Sequence, residues 1–235
     1  MSFTMVKNKL EMIRLHDKKA LVIGASGLVG TELLDTLLQK DTYSEIFVLA
    51  RKPLQITHNK LQVFIVNFDT LEEEYPTIDP EDVFCCLGTT IKQAKTKENM
   101  YKIDVEYPFK VAILAMKHGL NHFLLVSAVG ANSSSRIFYS RIKGEVEDKL
   151  LSLNIPKVSI FRPSLLVGNR EEFRLGELFA IKIFQFTSWI FPVTIQAKMG
   201  IKPSVVAQAM YHSAVHDKKP ITMYDAVRMN EIMDK

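Results

Sequence analysis

An open parallel β-sheet with helices on both faces is the fold class this sequence predicts, on three observations. Short apolar runs alternate with stretches of helical period from about Lys19 to Phe161. The runs are nearly continuous in apolar residues, as expected of strands covered on both sides. The first run ends in a glycine-rich turn, Gly24-Ala25-Ser26-Gly27-Leu28-Val29-Gly30, and the next helical pattern begins inside that turn. Together they describe an α/β, Rossmann-like doubly wound parallel sheet, with a small substrate-side lobe at the C-terminal end.

Each element follows in order. Strands are expected at 19–23, 46–50, 61–66, 83–87, 122–126 and 158–161, from runs rich in Val, Ile, Leu and Phe. Leu28, Leu33, Leu34, Leu37 and Leu38 recur at helical spacing after the glycine turn. Two further helices are expected over 105–117 and 137–151. After Phe161 the rhythm changes to a charged loop and an aromatic-rich run. A helix at 203–216, a short strand at 221–224 and a final helix complete the chain. The whole of 1–235 reads as one dinucleotide-binding domain, with 1–18 as an N-terminal extension and 162–235 as a mixed substrate-side portion.

Composition narrows the function classes. The chain has 235 residues, 47% hydrophobic and 24% charged, with a formal net charge of +4. No Lys/Arg cluster is interleaved with aromatics, so nucleic acid is not an expected partner. The N-terminus lacks an apolar core before a small-residue cleavage site and does not read as a secretory signal. In the 177–196 region, Lys182 interrupts the apolar run and Pro192 breaks it. It is therefore read not as a transmembrane segment but as a stretch covering the body, or touching a protein partner or membrane surface. Cys85 and Cys86 are adjacent in a strand and should point to opposite faces as buried free thiols, which leads to the expectation of a cytoplasmic protein. His212 and His216 lack the glutamate of a helical zinc motif, so no metal site is expected.

The glycine turn suits a dinucleotide. Gly24 permits a sharp exit from the strand, Gly27 lets a pyrophosphate approach the backbone, and Gly30 lets the helix pack on the sheet. Ser26 and Leu28 belong to the same cradle, where the N-terminus of the helix favours anions. At the end of the second strand, where an acid would bind the ribose hydroxyls of NAD, the chain has Arg51-Lys52. Two cations suit a 2′-phosphate, so NADP(H) is expected in preference to NAD(H). Asp69, after the third strand, could cap the adenine amino group. Gly88-Thr89-Thr90, after the fourth, would lie beneath the middle of the cofactor.

Ser127 ends the fifth strand, and Tyr139 and Lys143 follow as Y-x-x-x-K, one helical turn apart and so on one face. An ammonium beside a tyrosine favours the phenolate and can reach ribose hydroxyls; a strand-end serine can hold a substrate carbonyl. With FCCLGTT, FYSRIKGEVE and FRPSLLVG, these motifs resemble the short-chain dehydrogenases/reductases, in the Tat-interacting-protein branch of atypical members and its bacterial relatives. The resemblance spans nearly the whole chain. It implies a Ser127–Tyr139–Lys143 triad, NADP(H) on Gly24, Gly27, Gly30, Arg51 and Asp69, and Arg162-Pro163 flanking the nicotinamide. The asparagine that many relatives use as a fourth catalytic member has no evident counterpart. Three readings follow: an NADPH-dependent oxidoreductase acting on a small carbonyl, an NADP(H)-binding sensor or interaction module without turnover, and a nucleotide-sugar epimerase.

Overall fold

The computed structural model describes residues 17–166 and 200–233. The 177–196 region singled out above lies outside the described residues. Seven parallel strands form one sheet in the order β3-β2-β1-β4-β5-β6-β7. They are β1 (Lys18–Ile23), β2 (Tyr43–Ala50), β3 (Leu61–Ile65), β4 (Asp82–Cys85), β5 (His122–Val126), β6 (Lys157–Arg162) and β7 (Ile221–Asp225). The chain winds from β1 outward through β2 to β3, then returns to the other side of β1 with β4. The crevice between the carboxyl ends of β1 and β4 is therefore the point where winding reverses, the usual ligand position in such sheets.

Strand pleating divides the apolar residues between two cores. Leu21, Ile23, Val83, Cys85, Phe123 and Leu125 face one side, which is covered by α5 (Tyr107–Met116) and α6 (Phe138–Leu151). Ala20, Val22, Phe84, Leu124 and Phe161 face the other, covered by α1 (Leu28–Leu38) and α7 (Pro203–His216). Cys85 is buried in the first core, while Cys86, just past the strand end, packs against the second. As expected, the two free thiols lie on opposite faces. Burial pushes the Cys85 thiol up to about 12.

The helix expected over 105–117 is longer and interrupted. After the short helices α2 (Leu71–Glu74) and α3 (Ile91–Ala94), α4 (Lys97–Tyr101) runs into a π-helical turn at Lys102–Glu106 and then into α5. Pro108 supplies a physical reason: a proline in a helix cannot donate to the carbonyl four residues back, here that of Asp104, and its ring crowds that carbonyl. The wider turn accommodates both effects.

Polar side chains are also buried at the amino end of the sheet. Asp82, which opens β4, pairs with Lys18 and accepts a 2.7 Å hydrogen bond from Tyr43 Oη. Beside it, His122 Nε2 lies 2.8 Å from Ser159 Oγ. Ser213 Oγ donates to Asp217 Oδ2 at 2.6 Å, and Tyr224 Oη donates to Asp217 Oδ1 at 2.7 Å. These contacts tie the strand starts to the C-terminal end of α7. Burial, aided by the Lys157 charge, lowers His122 to about 3, so its ring is neutral. The last element among the described residues is α8 (Ala226–Met233). Among the described residues, no helix is long and apolar enough to cross a membrane.

Candidate functional site

The glycine turn sits where β1 meets α1. Gly24 has φ +81°, and a Cβ there would fall 2.5 Å from the Cys86 carbonyl carbon. A Cβ on Gly30 would lie 2.1 Å from Gly24 O. Both glycines are required by backbone packing alone. Gly27 differs: a Cβ there would meet Gly24 O at an ordinary 3.4 Å. Its N–H donates to Gly24 O at 3.0 Å, closing the turn. No side chain caps the N-terminus of α1, and no acid lies in its first turn. The first N–H groups beyond Ser26 and Leu28 are therefore available to an anion.

Arg51 and Lys52 follow β2 at the same end of the sheet. Both are exposed, with no ion pair among the described residues. Asp69 lies in the single-turn 3₁₀ helix Phe68–Thr70 and accepts from Lys102 Nζ at 3.1 Å and Tyr107 Oη at 3.0 Å. Those two contacts hold its carboxyl below the ordinary carboxylate range.

Past β4 the chain runs over the buried end of Lys143. A Cβ on Gly88 would sit 3.6 Å from Lys143 Nζ, and Thr89 N donates to Asp104 Oδ2 at 3.0 Å. Thr90 Oγ1 caps the short helix that follows, accepting from Gln93 N at 3.1 Å. Lys143 Nζ forms an ion pair with Asp104 Oδ1 at 2.7 Å, with 4% and 0% of the two side chains exposed. Burial disfavours the ammonium, but the Asp104 carboxylate outweighs it and holds Lys143 above the usual lysine range. Tyr139 is half-buried one turn away on α6. Its hydroxyl is pushed up by burial and by Asp104 and is drawn down by Lys143.

Asp104 is the residue that sequence reasoning missed. With Lys102 and Glu106 two positions to either side it looks like one more charge in a mixed stretch, and its partner lies 39 positions away. Glu147 was missed in the same way. It lies one turn beyond Lys143, is buried, and accepts both the Ser127 Oγ proton and a two-point clamp from Arg162 Nε and Nη2. Ser127 is thus tied to the same helix that carries Tyr139 and Lys143. Its hydroxyl donates to Glu147 Oε1, on the turn after Lys143. Pro163 is buried, and its carbonyl accepts from Val129 N at 3.0 Å, joining the segment after β6 to the one after β5. Gly144 lets that loop lie on α6, since a Cβ there would fall 2.1 Å from Ser133 N.

Chemically, the arrangement offers an anion cradle on α1 and two exposed cations beyond β2. On the other side of the cradle from those cations, past β4, lies a buried ammonium beside a phenol.

Comparison with known proteins agrees with this arrangement. Residues 20–138 match the model of the NAD dependent epimerase/dehydratase family. Protein HTATIP2 of Rattus norvegicus is 36% identical over 178 residues, covering 74% of this chain and 73% of the relative. Protein FMP52, mitochondrial, of Debaryomyces hansenii is 33% identical, over 71% of this chain and 73% of the relative. Among solved structures, MoeE5 in complex with UDP-glucose and NAD superimposes with a TM-score of 0.68 at 13% identity, over 88% of this chain and 75% of that one. At that identity the likeness is one of fold.

These relatives correct the expectation of a cytoplasmic location. Those from Debaryomyces hansenii, Scheffersomyces stipitis and Eremothecium gossypii are all named mitochondrial. The expectation rested on free thiols, and a buried thiol that meets no oxidant carries no information about which compartment surrounds it.

Proposed function

This chain belongs to the NAD dependent epimerase/dehydratase family, and on that premise we propose that it is an NADPH-dependent oxidoreductase acting on a small carbonyl substrate. The observation that carries this reading is Lys143: buried, charged, one turn from Tyr139 and against the Gly88 backbone. Few folds bury a lysine ammonium at such a crevice without chemistry for it to serve.

In this reading the N-terminus of α1, with Gly24, Ser26, Gly27, Leu28 and Gly30, holds the pyrophosphate. Gly27 supports this, because its missing side chain is not demanded by internal packing. Arg51 and Lys52 hold the 2′-phosphate, and the remaining Asp69 oxygen accepts from the adenine amino group. Gly88, Thr89 and Thr90 line the middle of the cofactor; Arg162 and Pro163 border the nicotinamide. The bound dinucleotide, when reduced, supplies the hydride. Lys143 binds the nicotinamide ribose, and Tyr139 gives its proton to the carbonyl oxygen. Ser127 is assigned one step back: its hydroxyl holds Glu147, and Glu147 holds Arg162.

The test is a carbonyl screen that follows NADPH absorbance, with Tyr139→Phe as control. Turnover should fall by about 10²–10⁴-fold while NADPH affinity, read by fluorescence titration, stays close to wild type. Undiminished turnover in Tyr139→Phe would sink the reading. Absence of any carbonyl turnover alongside intact NADPH binding would favour the sensor. The family description itself keeps a nucleotide-sugar epimerase in view, and calorimetric titration with nucleotide sugars measures that directly.

A further inference from the structure

Tyr139 and Lys143 form a pair whose direction of use depends on charge. An ammonium facing a tyrosine stabilises the phenolate, the form that takes a proton from an alcohol during oxidation. Reduction needs the opposite form, a phenol that gives its proton to a carbonyl oxygen. A lone buried lysine would push the site toward the first.

Here the lysine is not alone. Asp104 Oδ1 lies 2.7 Å from Nζ, and both side chains are almost wholly buried. The second oxygen, Oδ2, accepts the Thr89 N–H at 3.0 Å. The carboxylate is therefore braced on the Gly88–Thr89 segment while it faces the lysine. Lysine has three donors. Asp104 meets it as a charge at 2.7 Å, and N–H groups remain for ribose hydroxyls.

The other groups facing Lys143 do not disturb this balance. They are Tyr139 on α6 and Cys85 on β4, whose thiol burial keeps neutral. Glu147, the next acid on the same helix, is engaged by Ser127 and Arg162. What Tyr139 meets is a short dipole rather than a bare cation, and the field of a dipole falls off faster with distance than that of a charge.

We propose that Asp104 is a positioning residue that clamps Lys143 and balances its charge, so that Tyr139 rests as the protonated phenol from which carbonyl reduction starts. This rests on the oxidoreductase reading above. In the step, the carbonyl carbon gains a hydride and the carbonyl oxygen gains the Tyr139 proton. The nicotinamide is oxidised, the substrate becomes an alcohol, and the Tyr139 phenolate recovers a proton from solvent.

The charge balance is testable without substrate or cofactor. Tyrosine ring carbons are ¹³C-labelled, the Tyr139 resonance is assigned by its loss in Tyr139→Phe, and its ionisation is followed against pH by NMR. Asp104→Asn keeps the shape and an acceptor for Thr89 N but removes the charge. The Tyr139 midpoint should therefore shift to lower pH than in wild type. An unchanged or higher midpoint in the folded variant would overturn the proposal. Asp104→Asn leaves a buried ammonium unpaired and could unfold, so Asp104→Asn/Lys143→Met, which buries no lone charge, is the second arm. Its midpoint should stay near that of wild type; a clear rise would mean that Lys143 acts uncompensated, and the proposal fails. NADPH titration of the same samples separates the two readings. If NADPH does not bind although the midpoints behave as expected, the oxidoreductase reading falls, and the reducing role falls with it.

Discussion

At the amino end of the sheet, Asp82 gathers Lys18 and Tyr43, and Asp217 gathers Ser159, Ser213 and Tyr224 beside His122. At the carboxyl end, Asp104 faces Lys143, and Glu147 gathers Ser127 and Arg162. Both ends bury charge. They differ in what surrounds it. The amino-end clusters join strand starts to the end of α7, and nothing in them requires a bare backbone. The carboxyl-end pair lies under Gly88, beside a glycine turn and an uncapped helix N-terminus. A buried ion pair is therefore no mark of a site by itself, and here it is the exposed backbone next to it that carries the distinction.

The largest test of this contrast is Asp82→Ala, which strands Lys18 and Tyr43. It should cost about 3–5 kcal/mol in denaturant unfolding and leave the NADPH affinity of the folded fraction unchanged. Asp104→Ala should lose stability and NADPH affinity together. A cofactor defect in Asp82→Ala would erase the contrast.

Next comes Gly24→Ala, strained by its positive φ and by a Cβ directed at the Cys86 carbonyl. The loss should reach the upper end of the roughly 1–3 kcal/mol of overpacking, with cofactor binding lost alongside. Wild-type NADPH binding in this variant would separate the turn from the cofactor.

Arg51→Ala should weaken NADPH by about 2 kcal/mol and leave NADH nearly unaffected, since only the former has a 2′-phosphate to hold. Equal losses, or tighter NADH binding in wild type, would remove the NADP assignment.

Taken per pH unit, the smallest effect belongs to His122. Its folded value, about 3, lies below its ordinary 6.5. Between those values the unfolded chain binds a proton that the folded chain refuses, so stability falls as pH falls. The slope should be at most roughly 1.4 kcal/mol per pH unit, and His122→Gln should flatten it. A slope unchanged in that variant would assign the acid sensitivity to another group.

The six strands up to Phe161 and the C-terminal strand were all legible in the sequence, because apolar runs closed by turns are local signals. So was the glycine turn, since Gly24 and Gly30 answer to backbone crowding that any such βα turn imposes. The helix before α5 was half legible: its start at Lys97 lies in a polar stretch, KENMYK, without the apolar stripe that marked 105–117. Asp104, Glu147 and the direction of the Ser127 hydroxyl were not legible. Each depends on a partner 15 to 39 positions away, across strands and helices whose spacing no periodicity encodes. Tyr139 and Lys143 were found because their relation is one helical turn.

The π-helical turn at Lys102–Glu106 is in effect one surplus residue stored inside a helix. Removing a residue just after Asp104, such as the exposed Glu106, would let the helix close to ordinary pitch with its hydrogen bonds intact. Five residues of the wide turn carry the chain about as far round the axis as four α residues, so α4 would keep nearly its present facing on α5 and the change would fall on the turn that carries Asp104. A chain shortened by that single residue should keep its fold and change only how the Asp104 turn meets Lys143. In an alignment of this lineage, the length of this helix is therefore as informative as the identity of any residue on it.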